Sequence, residues 1–128
     1  MSREELPGPR TWASKFRDAG RGISFAIRFE KSFVVHAFAT ICVIAAAVTF
    51  RVSPTEWAVL LVCIASVVAA ECFNSATESL ARTITREMNR EIGQALDMAA
   101  GAVLLISLGA ACAGLAVFVP HVLRFVTS

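Results

Sequence analysis

Glu71, Asn74 and Glu78 stand at i, i+3 and i+7 within an otherwise apolar run, Ala70-Glu71-Cys72-Phe73-Asn74-Ser75-Ala76-Thr77-Glu78-Ser79. At that spacing all three side chains project from one helical face. A carboxylate inside a membrane helix costs about 2.5–3.5 kcal/mol even on lenient insertion scales. A single polar residue would fit a hydrogen bond that holds helices together. Two carboxylates flanking an amide point to chemistry instead. Glu30 precedes the first apolar stretch and Asp97 opens the third, so these acids gather at one membrane boundary with Glu78. Glu71 lies one face-repeat deeper, about 10 Å along the axis. Oxygen donors at a wet boundary suit Mg²⁺, which takes one or two carboxylates together with phosphate oxygens and water. A carboxylate desolvated among acyl chains is a stronger proton acceptor than one in water. Metal and phosphates above, with a base below, is an arrangement for phosphoryl transfer onto a lipid hydroxyl. Asp97 by itself also fits a helix-start residue favoured by the macrodipole.

Three apolar stretches must position these groups: 33–50, 57–80 and 98–119. Each is near the roughly 20 residues a helix needs to cross the hydrocarbon core. Ser53-Pro54-Thr55-Glu56 has the pattern of a capping box with Pro at the first helical position, which predicts a sharp start for the second span. Pro120 is expected to close the third. Residues 11–30 are too polar to cross. Trp12, Phe16, Ala19, Ile23 and Ala26 recur at helical spacing, with Arg17, Arg21, Ser24 and Arg28 on another face. That pattern predicts an amphipathic helix lying in the interface, attracted to anionic headgroups.

Seven of the twelve Lys and Arg residues precede the first span, and Arg82, Arg86 and Arg90 lie between the second and third. Only Arg51 and Arg124 fall on the other side. By the positive-inside rule the N-terminus is cytoplasmic and the C-terminus lies outside. The acids at Glu30, Glu78 and Asp97 therefore face the compartment that holds nucleotides.

Composition agrees with a bilayer as the solvent. The 128 residues are 56% hydrophobic and 17% charged, with a mean hydropathy of +0.66. A soluble domain of this size has too little interior for that much apolar side chain. The expectation is a single domain, 1–128, of all-α membrane class: an N-terminal interfacial amphipathic helix plus three transmembrane helices. Cys42, Cys63, Cys72 and Cys112 sit in apolar runs without paired spacing, which argues against a disulfide framework or zinc site. No segment reads as a cleavable signal peptide. Neither G-x-x-x-x-G-K-[ST] nor a kinase-like glycine loop occurs, so ATP would bind without a standard phosphate loop. No nucleic-acid partner is expected.

Phe16-x-x-Ala19-x-x-Gly22-Ile23 with Ala26 and Glu30-x-x-Phe33-x-x-His36 resembles the amphipathic opening segment of the small membrane-bound diacylglycerol kinase/undecaprenol kinase family. The run from Ala70 to Glu78 resembles that family's signature, with Glu-x-x-Asn-Ser-Ala-x-Glu intact. Asp97-Met98-Ala99-Ala100-Gly101-Ala102-Val103-Leu104 resembles the start of its third span. The likeness covers residues 14–119. It implies an ATP-dependent lipid kinase of the bacterial inner membrane, with undecaprenol or diacylglycerol as substrate, Mg²⁺ as cofactor, and a homotrimer with shared sites. Carried over by position, Glu71 matches the catalytic base and Asn74 an active-site amide. Glu30 and Glu78 match metal and nucleotide ligands, and Glu87 and Asp97 further nucleotide-side acids.

The chain departs from that pattern at four positions. Leu96 stands where the family has a phosphate-contacting Lys, Met88-Asn89 replaces Tyr-His, and Arg82 takes a normally acidic place. Phosphate contacts would then fall to Arg82, Arg86 or Arg90. A catalytically weakened relative, or a non-kinase such as a small proton-coupled transporter, is the alternative. A transporter of that kind is expected to have four spans and one dominant mid-membrane Glu, whereas here the acids cluster at the cytoplasmic end.

Overall fold

The computed structural model describes residues 11–85, 87 and 89–128, and among them it is wholly helical. Helix α1 spans Trp12–Phe29, α2 Ser32–Phe50, α3 Pro54–Ile84 and α4 Arg90–Thr127. Helices α2, α3 and α4 are each long and apolar enough to cross a membrane. The predicted apolar stretches lie inside longer helices. Hydrocarbon thickness limits how many residues must be apolar, whereas the backbone ladder continues until a cap or a break ends it.

The caps explain where the chain turns. Thr11 accepts from the Ser14 N–H at 3.2 Å and starts α1. Glu30 takes an extended conformation and ends α1, its N–H donating to Ala26 O at 3.0 Å. Phe33 N–H then donates back to Glu30 O at 3.1 Å, so the chain re-enters a helix almost at once with Glu30 held at the break. Between α2 and α3, Arg51 adopts φ 51°, ψ 52°. Val52 N–H reaches Ala47 O at 3.1 Å and Arg51 N–H reaches Val48 O at 3.2 Å. This is a Schellman ending with Arg where Gly is usual, and the left-handed residue costs about 1–2 kcal/mol. The hydrophobic contact that accompanies such endings is present, because Ala47 and Val52 share one buried cluster.

The expected capping box forms. Ser53 Oγ accepts from Glu56 N–H at 3.3 Å, and Glu56 Oε2 accepts from Ser53 N–H at 2.7 Å, with Pro54 as the first helical residue. Asn89, one of the departures from the family pattern, caps α4 by accepting from Ile92 N–H at 2.9 Å. Met88 lies outside the described residues.

Pro120 does not close the third span; it lies inside α4. Proline removes one backbone bond of the ladder, but membrane helices tolerate this where neighbours hold the adjoining turns. Here His121 Nε2 lies 3.1 Å from Glu56 Oε1 on α3, and its ring packs 6.1 Å from Phe50 on α2. The turn that follows the proline is thus anchored to both neighbouring helices.

The core sits at that same end of the bundle. Ala47, Val52, Leu60 and Val117 are buried together, flanked by Val43, Phe50, Trp57 and Phe118. Elsewhere the helices expose large apolar side chains, among them Val34, Phe38, Leu105 and Leu108. Water would penalise that surface heavily, and hydrocarbon does not.

Candidate functional site

The helical face predicted for α3 is realised near the opposite end of the bundle. Glu71 is buried at 5% exposure, and Ser75, one turn on, is buried too. Asn74 Nδ2 donates to Glu78 Oε1 at 3.0 Å. The Asn74 Oδ1 atom is buried without a hydrogen-bond partner among the described residues. An orphaned buried acceptor costs about 1–3 kcal/mol, so a ligand donor or a water there would be stabilising. Glu78 Oε2 also lies 3.7 Å from Arg82 Nη1, one turn along on the solvent side.

A recess of about 380 Å³ joins these groups to the α1–α2 turn. Phe29, Glu30, Lys31 and Ser32 line one side, and Glu71, Asn74, Ser75 and Glu78 the other. The break at Glu30 is what delivers its carboxylate to this wall, because a continuous helix would carry the side chain past it. Glu30, Glu71, Asn74 and Glu78, four of the residues singled out from the sequence, therefore border one space. A less polar cleft of about 540 Å³ between α1 and α3 adjoins the recess, sharing Glu30 and Ser75 and lined further by Gly22, Ala26, Cys72 and Ala76.

Three other candidates do not line this recess. Glu87 is exposed in the α3–α4 turn, where its N–H donates to Thr85 Oγ1 at 3.0 Å. Arg90 and Asp97 are exposed on α4. Arg86 lies outside the described residues. No group of three or more His, Cys, Asp or Glu suited to a metal is present among the described residues. Glu30 on one wall and Glu78 on the other, with the Asn74 amide oxygen beside Glu78, form an all-oxygen donor set. Such a set fits an ion that takes one or two protein carboxylates and fills its remaining positions with phosphate and water.

Sequence reasoning gave His36 no role at the site. Its Nε2 lies 3.6 Å from Glu71 Oε2, within ion-pair reach, and both side chains are largely buried. The available signal was the Glu30-x-x-Phe33-x-x-His36 spacing, which sets Phe33 and His36 on one face of α2 directly after the turn.

The profile of the prokaryotic diacylglycerol kinase family matches residues 17–118. An undecaprenol kinase of Bacillus subtilis (strain 168) is 32% identical over 105 residues, covering 82% of this chain and 85% of that relative. A diacylglycerol kinase of Synechocystis sp. is 33% identical over 109 residues, covering 84% of this chain; the chain spans 62% of that relative's length. No solved structure matches the chain. The family match takes in all of α2 and α3 and most of α1 and α4, with the whole recess inside it; the chain belongs to the prokaryotic diacylglycerol kinase family.

Proposed function

We propose that this chain, a lipid kinase by family, transfers the γ-phosphate of ATP to the hydroxyl of a membrane lipid alcohol, undecaprenol in the first place and diacylglycerol as the other candidate. The observation that carries the reading is the shared recess: a buried carboxylate, Glu71, beside a more exposed carboxylate–amide pair, Glu78 and Asn74, with Glu30 on the facing wall. In this reading the hydroxyl oxygen forms a bond to the γ-phosphorus, the bond to the β–γ bridging oxygen breaks, and ADP leaves. Glu71 Oε takes the hydroxyl proton. Glu30 and Glu78 would hold Mg²⁺, which would supply charge neutralisation at the phosphate oxygens. Asn74 fixes the Glu78 carboxylate and offers Oδ1 to the ligands.

The α1–α3 cleft beside the recess suits the lipid end of the substrate, since it is apolar and opens where α1 meets α3. Helix α1 lies in the cytoplasmic interface, with its exposed Trp12, Phe16 and Ile23 toward acyl chains. The N-terminus is cytoplasmic, by the ten-to-two distribution of basic residues, and the membrane is the bacterial inner membrane. The assembly is a homotrimer with shared sites, in which neighbouring copies cover part of the apolar surface left open on α2–α4. Arg82, Arg86 and Arg90 supply cationic contacts to the phosphates, and Glu87 and Asp97 act on the nucleotide side.

Incubating the purified protein in mixed micelles with labelled ATP, Mg²⁺ and a panel of lipid alcohols tests this. Label is expected in a lipid phosphate, most from undecaprenol. Absence of labelled lipid from every alcohol would overturn the reading.

A further inference from the structure

We infer that His36 is the positioning residue for the Glu71 carboxylate, an inference that rests on the lipid-kinase reading with Glu71 as base. His36 is the only basic residue within α2, and it stands among Val34, Val35, Ala37 and Phe38. A polar ring at membrane depth is costly unless it has a partner. Among the described residues, Glu71 is the charged group within ion-pair reach of it, with Nε2 to Oε2 at 3.6 Å. The side chains are 19% and 7% exposed, so little water competes for either.

The ring has an aromatic neighbour on one side and an apolar cavity on the other. Phe33, one turn back on α2 and 4% exposed, meets it nearly edge-on, with centroids 6.4 Å apart and planes at 76°. Its other side borders an apolar cavity of about 560 Å³ between α2, α3 and α4, where Thr40, Val43, Val67, Ala111 and Phe118 offer it no charge. Glu71, by contrast, borders the polar recess that also holds Glu30 and Glu78. His36 therefore approaches the carboxylate from the face opposite the recess.

That geometry has a definite consequence. A glutamate carboxylate rotates about its last bond, and proton abstraction needs one oxygen aimed at the hydroxyl. A ring fixed beside Oε2 leaves Oε1 for the recess. Such an interaction is used in the transition state and not in holding ATP or the lipid chain, so its loss lowers kcat and leaves KM in place.

Six proteins test this with lipid-phosphorylation kinetics: wild type, His36→Leu, His36→Gln, Glu71→Asp, and Glu71→Asp combined with each His36 change. His36→Leu is expected to lower kcat roughly 10- to 100-fold, the scale of a misplaced catalytic group, with both KM values within about twofold. His36→Gln, which keeps an N–H donor at similar reach, is expected to recover most of that loss. Glu71→Asp draws the carboxylate one methylene away from the ring. In that background His36→Leu is expected to cost less than about threefold, because coupled residues are non-additive. A fall in kcat of equal size in both backgrounds, or a Gln variant no better than Leu, would overturn the assignment. If His36→Leu does not fold, His36→Ala, which also removes the ring, is compared in the two backgrounds and decides by the same non-additivity. Wild-type protein without lipid phosphorylation would instead overturn the kinase reading itself.

Discussion

Asn74 gives its amide N–H to Glu78 Oε1 at 3.0 Å, while its own buried carbonyl oxygen accepts from no group among the described residues. One side chain thus fixes a carboxylate and leaves an acceptor open to whatever enters the recess. Asn74→Ala removes both features. It is expected to raise the KM for ATP about tenfold, the scale of one or two charge-assisted hydrogen bonds, with the lipid KM little changed. Nucleotide kinetics at fixed lipid check this. Asn74→Asp sets a like charge beside Glu78 and is expected to be worse than Ala in the same assay.

Glu71→Gln keeps the shape of the side chain and removes its ability to take a proton. Lipid phosphorylation is expected to fall at least about 100-fold, with ATP binding within about threefold of wild type. Single-turnover assays beside an equilibrium nucleotide-binding measurement separate the two. Turnover within about tenfold of wild type removes Glu71 from the role of base.

Glu30, at the break between α1 and α2, and Glu78, on α3, both line the recess. If they share one ion, Glu30→Ala and Glu78→Ala each weaken Mg²⁺-dependent ATP binding, and the double change costs less than the sum. Mg²⁺ titrations of the three variants decide it, and full additivity means separate roles. Glu78→Ala also releases Arg82, whose partner at 3.7 Å is lost.

Leu96 offers no charge to a triphosphate, so the guanidinium groups of Arg86 and Arg90 are expected to carry the electrostatic load. Arg86→Gln with Arg90→Gln is expected to raise the ATP KM about tenfold or more, without a comparable change for the lipid. Leu96→Lys is expected to recover part of the loss. An unchanged ATP KM in the double variant removes these arginines from phosphate binding.

The far end of the bundle is expected to serve stability and not turnover. Ser53→Ala removes the α3 cap and is expected to cost about 1 kcal/mol. His121→Leu breaks the contact with Glu56 that steadies α4 after Pro120. Both variants are expected to unfold at lower temperature in detergent while keeping wild-type kcat once folded. A selective loss of kcat would place that end in the catalytic cycle.

Local order was readable from the chain because its causes act within a turn or two. Helical repeat alone puts Glu71, Asn74 and Glu78 on one face, whatever packs against them. The Ser53–Glu56 cap forms from groups three residues apart. The membrane setting follows from hydropathy, since a bilayer demands apolar side chains over a set length. Pro120 misled for the same reason: a local rule for ending helices took no account of His121 reaching Glu56 on another helix.

What the tertiary structure decided are the meetings between elements. Glu30 reaches the recess because α1 breaks at that residue and turns its carboxylate toward α3. Glu87, Arg90 and Asp97 share the boundary in sequence but line none of the recess, since it is built by the α1–α2 turn and α3. His36 and Glu71 meet only because α2 and α3 pack at one particular rotation and depth. A shift of one residue along either helix turns a side chain by about 100° and moves it about 1.5 Å, enough to lose the contact. No single helix carries that information. It resides in the volumes that interlock the three spans, Ala47 of α2, Leu60 of α3 and Val117 of α4.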